Sequence, residues 1–167
     1  GGRVVFDGTD VTALEGRALK RFRRRAQMVF QDPTSSFDPR MSIGASVGEP
    51  LRIHGLGDRE RRRRIVGDLL ERVGLSADDH DRYPHELSGG QKQRAALARA
   101  LSVNPDLIVA DEPVSALDVS IQADIVSLMD ELQSAFGLGM LFISHDLSVV
   151  REVCDRIAVM YLDDLAE

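Results

Sequence analysis

Two adjacent carboxylates, Asp111 and Glu112, follow the apolar run Leu107-Ile108-Val109-Ala110. Such a run reads as a buried strand, with the acids at its tip. Neighbouring strand residues point to opposite faces, so the two acids can take different tasks. In phosphoryl transfer one acid orders Mg2+, usually through water, and another positions or activates the attacking water. Read alone, an acid pair after a strand is also a helix cap or a surface turn. His145 follows a second apolar run, Met140 to Ile143. Its imidazole could hydrogen-bond a terminal phosphate or the attacking water, or serve structure only. Gln31 ends a third run, Gln27-Met28-Val29-Phe30, and means nothing by itself. Leu87-Ser88-Gly89-Gly90-Gln91 precedes an alanine-rich stretch. Ser88 can cap the helix that follows, and two glycines let a backbone approach a ligand closely. A helix start with free amides attracts anions. The bland reading is a glycine turn with an N-cap.

These residues need elements to hold them. Arg3 to Phe6 reads as a short strand running into the turn Asp7-Gly8, with no upstream segment to pair it. Residues 13–25 fit a helix or a polar loop. Ile43, Val47 and Leu51 fall at helical spacing, as do Ile65, Leu69 and Val73, and Gly55 and Gly57 break the two helices. A helix opens at Ser88 and stops at Asn104-Pro105. Beyond it, strand and helix alternate: Leu107–Asp111, Val119–Phe136, Met140–Ile143, Leu147–Cys154 and Ile157–Tyr161. That order predicts an α/β fold with a parallel sheet and crossover helices. Ligands in such sheets sit at the carboxyl ends of the strands.

Composition sets bounds. With 167 residues, 43% hydrophobic and 29% charged, the chain suits one ordinary globular domain. The longest apolar runs fall far short of the roughly 18 residues of a membrane span. Gly1-Gly2-Arg3 does not open a signal peptide. The single Cys154 cannot form an internal disulfide, fits a reducing compartment, and reads as a small packing residue in a helix. A net charge of -6 argues against a chain that holds nucleic acid by bulk electrostatics. Two basic clusters stand out, Arg21 with Arg23 to Arg25, and Arg59 with Arg61 to Arg64. Each reads as a phosphate or anionic-lipid contact, or as a solvated helix face with acids such as Asp58, Glu60, Asp68 and Glu71 nearby.

Taken in order, these motifs resemble those of ATP-binding-cassette (ABC) ATPases, and the resemblance covers essentially the whole chain. Leu87 to Gln91 is similar to the family signature and Leu107 to Glu112 to its Walker B strand with the catalytic glutamate. Ser115-Ala116-Leu117-Asp118 is similar to the D-loop, His145 to the switch histidine and Gln31 to the Q-loop. The segments Val29–Pro33, Glu49–Leu51, Arg82–Leu87 and Asp111–Gln122 further resemble ATPase subunits of dipeptide and oligopeptide importers.

The resemblance implies a P-loop NTPase-type parallel sheet core, residues 1–33 and 96–167, with an inserted α-helical subdomain, residues 34–95, that bears the signature. It implies ATP and Mg2+ as cofactors and ATP hydrolysis driving solute import, of peptides in particular. Glu112 would be the general base, Asp111 and Gln31 would serve the metal, and His145 would brace the γ-phosphate. Ser88, Gly89, Gly90 and Gln91 would face the nucleotide held by a second ABC ATPase protomer, identical or paralogous, and Asp118 would align the two. Transmembrane permease subunits and, indirectly, an extracytoplasmic solute-binding protein would complete the assembly at the cytoplasmic face of the membrane, with no nucleic acid.

The sequence departs from the family in two respects. The P-loop pattern G-x-x-x-x-G-K-S/T is absent, and the chain contains no Gly-Lys pair. In the family the P-loop lies upstream of the strand matching Val4 to Phe6. The expectation is therefore a fragment, lacking the P-loop strand and inactive alone. The competing readings are a non-catalytic module that donates the signature face in trans, and a DNA-repair type ATPase. The latter would carry a long coiled coil before the signature, and the segment Asp32 to Glu86 has no heptads. The tail Asp163 to Glu167 also departs from the family's glycine turn and basic residue.

Overall fold

The computed structural model describes residues 2–161 and 164–166. It opens with an antiparallel hairpin, β1 (Val5–Phe6) and β2 (Thr9–Asp10). Asp7 and Gly8, at φ 50° and 73°, both hold the left-handed conformation that two-residue hairpin turns require. The downstream strand thus supplies the partner that the sequence did not reveal. Phe6 meets Phe22 edge-on at 5.5 Å, which docks the hairpin on α1 (Gly16–Arg25). Arg25 lies over Phe6, bonds Asp7 at 2.8 Å and also pairs with Asp106.

β3 (Ala26–Val29) follows α1 directly, and the chain then enters a helical stretch. This comprises α2 (Ile43–Val47), α3 (Glu49–Ile53) and α4 (Arg59–Arg72). α2 and α4 start on side-chain caps: Ser42 accepts from the Ala45 amide and Asp58 from the Arg61 amide. α5 (Gly89–Leu101) runs unbroken across the expected boundary at residues 95 and 96. One continuous core joins Ile43, Leu51 and Leu70 of the helical stretch to Val29, Ile108 and Ile125.

β4 (Leu107–Asp111), α6 (Val119–Phe136) and β5 (Gly139–Ile143) complete the centre. The three strands are parallel in the order β3-β4-β5, as the alternation of elements predicted. Met28, Val109 and Leu141 stand in register, as do Val29, Ala110 and Phe142. The second row faces α5 and α6, whose residues Ala95, Leu97, Ile125 and Met129 are fully buried. Alanines at 95, 96, 98 and 100 let α5 approach the sheet closely. The opposite sheet face leaves Met28, Phe30, Leu141 and Ile143 between 40% and 53% exposed.

α7 (Leu147–Val153) follows, and Cys154 stands just beyond its last turn, half-buried, rather than inside it. The predicted final strand is shorter and pairs differently. β6 (Val159–Tyr161) joins β7 (Asp164–Ala166) in an antiparallel pair, separate from the parallel sheet. β5 and β3 are the edges of that sheet among the described residues, and β6 bonds the nearby tail instead. Leu162, Asp163 and Glu167 lie outside the described residues.

One glycine fixes the helical stretch. A Cβ on Gly44 would collide with the ring of His80, which covers α2 and bonds Asp81 at 2.7 Å. Gly44→Ala in the full-length protein is expected to cost about 1–3 kcal/mol by overpacking, read as a lower urea midpoint with an unchanged slope. An unchanged midpoint would show that the ring swings away freely.

Candidate functional site

The tips of β3, β4 and β5 bring three predicted residues together. Glu112 follows β4 directly, and its amide donates to the Ile143 carbonyl at 2.9 Å. Its carbonyl accepts from the Ser115 hydroxyl at 3.1 Å. Between these anchors Glu112 adopts φ 45°, a left-handed backbone that costs a non-glycine residue roughly 1–3 kcal/mol. Asp111 ends the strand in regular pairing with Ile143, half-buried. Strand alternation was the predicted reason for the two acids to part; the turn at Glu112 is the observed one.

Both carboxylate oxygens of Glu112 are engaged. Gln31 Nε2 donates to Oε2 at 2.8 Å, and His145 Nδ1 lies 3.1 Å from Oε1. A carboxylate only accepts, so His145 must carry its proton on Nδ1. Neutral His145 then presents a bare Nε2, and only the imidazolium could donate to Glu112 and to a phosphate at once. Its side chain is 72% exposed, so Nε2 stands open to a ligand. The turns beside the site are held locally. The Asp32 carboxyl is pulled below its ordinary range, chiefly by the Thr34 amide. The Asp146 carboxyl is lowered by the Ser148 hydroxyl and amide, so it stays an ionised cap on α7 at neutral pH.

The glycine turn forms a separate group. Ser88 caps α5 in a reciprocal pair with Gln91: the Gln91 amide donates to Ser88 Oγ at 3.3 Å, and Gln91 Oε1 accepts the Ser88 amide at 3.0 Å. The Gln91 side chain is thus committed to the cap. A Cβ on Gly89 would meet Leu117 at 3.4 Å, and one on Gly90 would lie 2.8 Å from Ile121 Cγ2. The turn therefore rests against the segment that precedes and opens α6. Asp118 sits there, exposed, at the N-cap of α6 with no side-chain cap bond. No hydrogen bond among the described residues joins this group to Gln31, Glu112 and His145.

Ile121 lies in the segment Asp111–Gln122 that carries the resemblance, but its contact with Gly90 is tertiary and was not legible there. Gly90→Ala is expected to destabilise the full-length protein by about 1–2 kcal/mol and to shift the signature turn. A nitroxide label at Ser88 would report the shift as a changed distance to a label on α4. An unaltered distance and midpoint would refute the close-packing role of Gly90.

The parallel α/β sheet, with an acid pair, a glutamine and a histidine at its strand tips, fits a P-loop NTPase-type core. Residues 1–115 match the family model described as ABC transporter. The chain belongs to the ABC transporter family. It is 54% identical over 166 residues to a Brucella ovis protein named provisionally for peptide import and ATP binding, covering 99% of this chain and 52% of that one. It is 52% identical to the oligopeptide transport ATP-binding protein AppF of Bacillus subtilis, over 99% of this chain and 51% of that one. The glutathione import ATP-binding protein GsiA of Pectobacterium atrosepticum is 51% identical, with 27% of its length covered. The chain thus spans about half the length of the first of these relatives. Among solved structures, the post-hydrolysis dimer of an ATP-binding cassette bound to ADP and Pi aligns with a TM-score of 0.78 at 32% identity, over 90% of this chain and 66% of that one. The cbiO1 protein of Clostridium perfringens, part of the cbiONQ complex, aligns with 0.87 at 28% identity, over 100% of this chain and 65% of that one.

Proposed function

We propose that this chain is the signature-bearing part of an ATP-hydrolysing subunit that drives solute import, with peptides as the solute. The observation that carries the reading is the pincer on Glu112, with Gln31 and His145 each bonding one of its oxygens. A carboxylate fixed on both sides keeps a defined direction for proton abstraction. Glu112 takes a proton from water as the water oxygen attacks the γ-phosphorus, and ADP leaves with the electron pair of the broken P–O bond. The names of the relatives from Brucella and Bacillus support peptides as the class of solute.

The donor set suits Mg2+. Asp111 offers a carboxylate, and Gln31, donating through Nε2, keeps its amide oxygen for another partner. Mg2+ takes one or two carboxylates, keeps waters and completes its shell with substrate phosphates. Among the described residues no three His, Cys, Asp or Glu side chains gather, and Asp111 and Gln31 would share the ion with the nucleotide phosphates. When bound, the ion neutralises charge developing on the phosphates.

The remaining roles complete the proposal. Ser88, Gly89, Gly90 and Gln91 present the start of α5 to nucleotide held by a second protomer, and Asp118 aligns the pair. The dimeric cassette with ADP and Pi supports the presence of a second protomer. Residues 34–95 carry the state of Gln31 to transmembrane permease subunits, which receive solute from an extracytoplasmic binding protein. The assembly works at the cytoplasmic face of the membrane. None of the described helices is long and apolar enough to cross it.

The pincer makes a coupled prediction. In the full-length ATPase, His145→Ala lowers kcat at least tenfold. In a Glu112→Gln background the same change lowers it less than threefold, because both residues act through one carboxylate. Additive losses in the cycle would refute the pincer.

A further inference from the structure

Arg17, Lys20, Arg21 and Arg24 recur along α1 at the spacing that places residues on one helix face. Together with His54, at the C-cap of α3, they line an open cleft of about 300 Å3. Every lining residue is a cation or an imidazole, and no carboxylate is among them. Several other arginines are ion-paired, although among the described residues Arg59, Arg61 and Arg64 of α4 are not. Arg25 bonds Asp7 and Asp106, Arg52 bonds Glu49, Arg63 bonds Asp81 and Arg82 bonds Asp79. Among the described residues, none of the four stripe cations forms an ion pair. Arg17 and Arg21, like Lys20 and Arg24, are like-charged neighbours four apart, a pairing that weakens a helix. His54 feels the same field: burial lowers its pKa first, and Lys20 and Arg24 lower it further. The chain as a whole is negative, at -6, so this concentration of positive charge is local.

We propose that the α1–α3 cleft binds a phosphate-bearing anion. Guanidinium groups grip phosphate oxygens in a two-pronged fashion, Lys20 adds a point charge, and His54 adds a ring N–H. The volume lies at the lower end of small-molecule sites, about 300–1,000 Å3, which fits a short phosphate chain or a single lipid headgroup. The cleft shares no residue with Gln31, Glu112 or His145, so the proposal stands apart from the catalytic reading.

The test uses the full-length ATPase with ADP saturating its nucleotide site. Calorimetric titration with inorganic tripolyphosphate is expected to show binding that Lys20→Gln/Arg24→Gln weakens at least tenfold. Arg17→Gln/Arg21→Gln should do the same. Arg59→Gln/Arg64→Gln on α4 removes equal charge and should change it less than twofold. The cleft variants should melt at or above the wild-type temperature, since they relieve repulsion and keep good helix formers. Co-sedimentation with phosphatidylglycerol against phosphatidylcholine vesicles separates the sources. Cleft-dependent binding of tripolyphosphate assigns a soluble ligand. Cleft-dependent pelleting with phosphatidylglycerol alone assigns a lipid headgroup. Binding of neither probe, or equal weakening by the cleft and α4 variants, overturns the proposal.

Discussion

Glu112→Gln in the proposed full-length ATPase is expected to lower kcat by roughly 10²- to 10⁴-fold, the usual contribution of a positioned general base. The affinity for ATP should stay within about threefold. Glutamine has the shape of glutamate, so the left-handed turn at φ 45° and its backbone bonds to Ile143 and Ser115 persist. Its amide oxygen still accepts from His145, and Gln31 can rotate its own amide to meet the new NH2 group. What disappears is the basic oxygen alone. Single-turnover hydrolysis measures the loss directly, and equilibrium binding of ATP checks that the fold is intact. A rate within tenfold of wild type would remove Glu112 from the role of base. A collapse of nucleotide affinity instead would make it a structural residue of the turn.

The second large effect concerns the uncovered sheet face. Leu141 and Ile143 of β5 are 53% and 43% exposed, and Met28 and Phe30 extend the same face. β5 also has one backbone edge unpaired among the described residues. An exposed apolar face beside a free edge favours association. The isolated 167-residue chain is therefore expected to self-associate at micromolar concentration and to turn over no ATP above background. Leu141→Lys should weaken that association by roughly 10- to 100-fold, since burying a leucine contributes about 1.5–3 kcal/mol. Sedimentation velocity gives the readout. In the full-length protein we expect the remaining polypeptide to cover this face, so the same substitution should lower the urea midpoint there. A monomeric isolated chain, or a full-length protein whose urea midpoint does not move on Leu141→Lys, would contradict the reasoning.

Much of the fold was legible because its signals are local. Val119–Phe136 is a helix with the predicted bounds, opened after Asp118 and closed by Gly137 in the left-handed conformation that ends helices. Ser88 announced the start of α5 as its N-cap, and the structure adds the reciprocal bond from Gln91. The runs at 107–110 and 140–143 revealed their strands by continuous apolar character. Pairing was less legible. The strand at 159–161 has the right composition, yet its partner is the tail segment 164–166. Composition shows that a segment wants to be extended; it does not say which edge will accept it.

The sequence by itself determined the kinds of residues available for phosphate chemistry and their order along the chain. Tertiary structure alone decided which of them meet. Gln31 lies 81 positions from Glu112 and His145 lies 33, yet both reach the same carboxylate. The left-handed backbone that turns Glu112 toward them is held on one side by the nearby Ser115 and on the other by a bond to Ile143 of β5, which only the fold supplies. The same holds for Gly90 against Ile121 and for His54 against the α1 stripe. Caps and periodicity act between neighbours and are written in short stretches. Contacts across the sheet depend on loop closure and on the packing of α5 and α6, which no short stretch encodes.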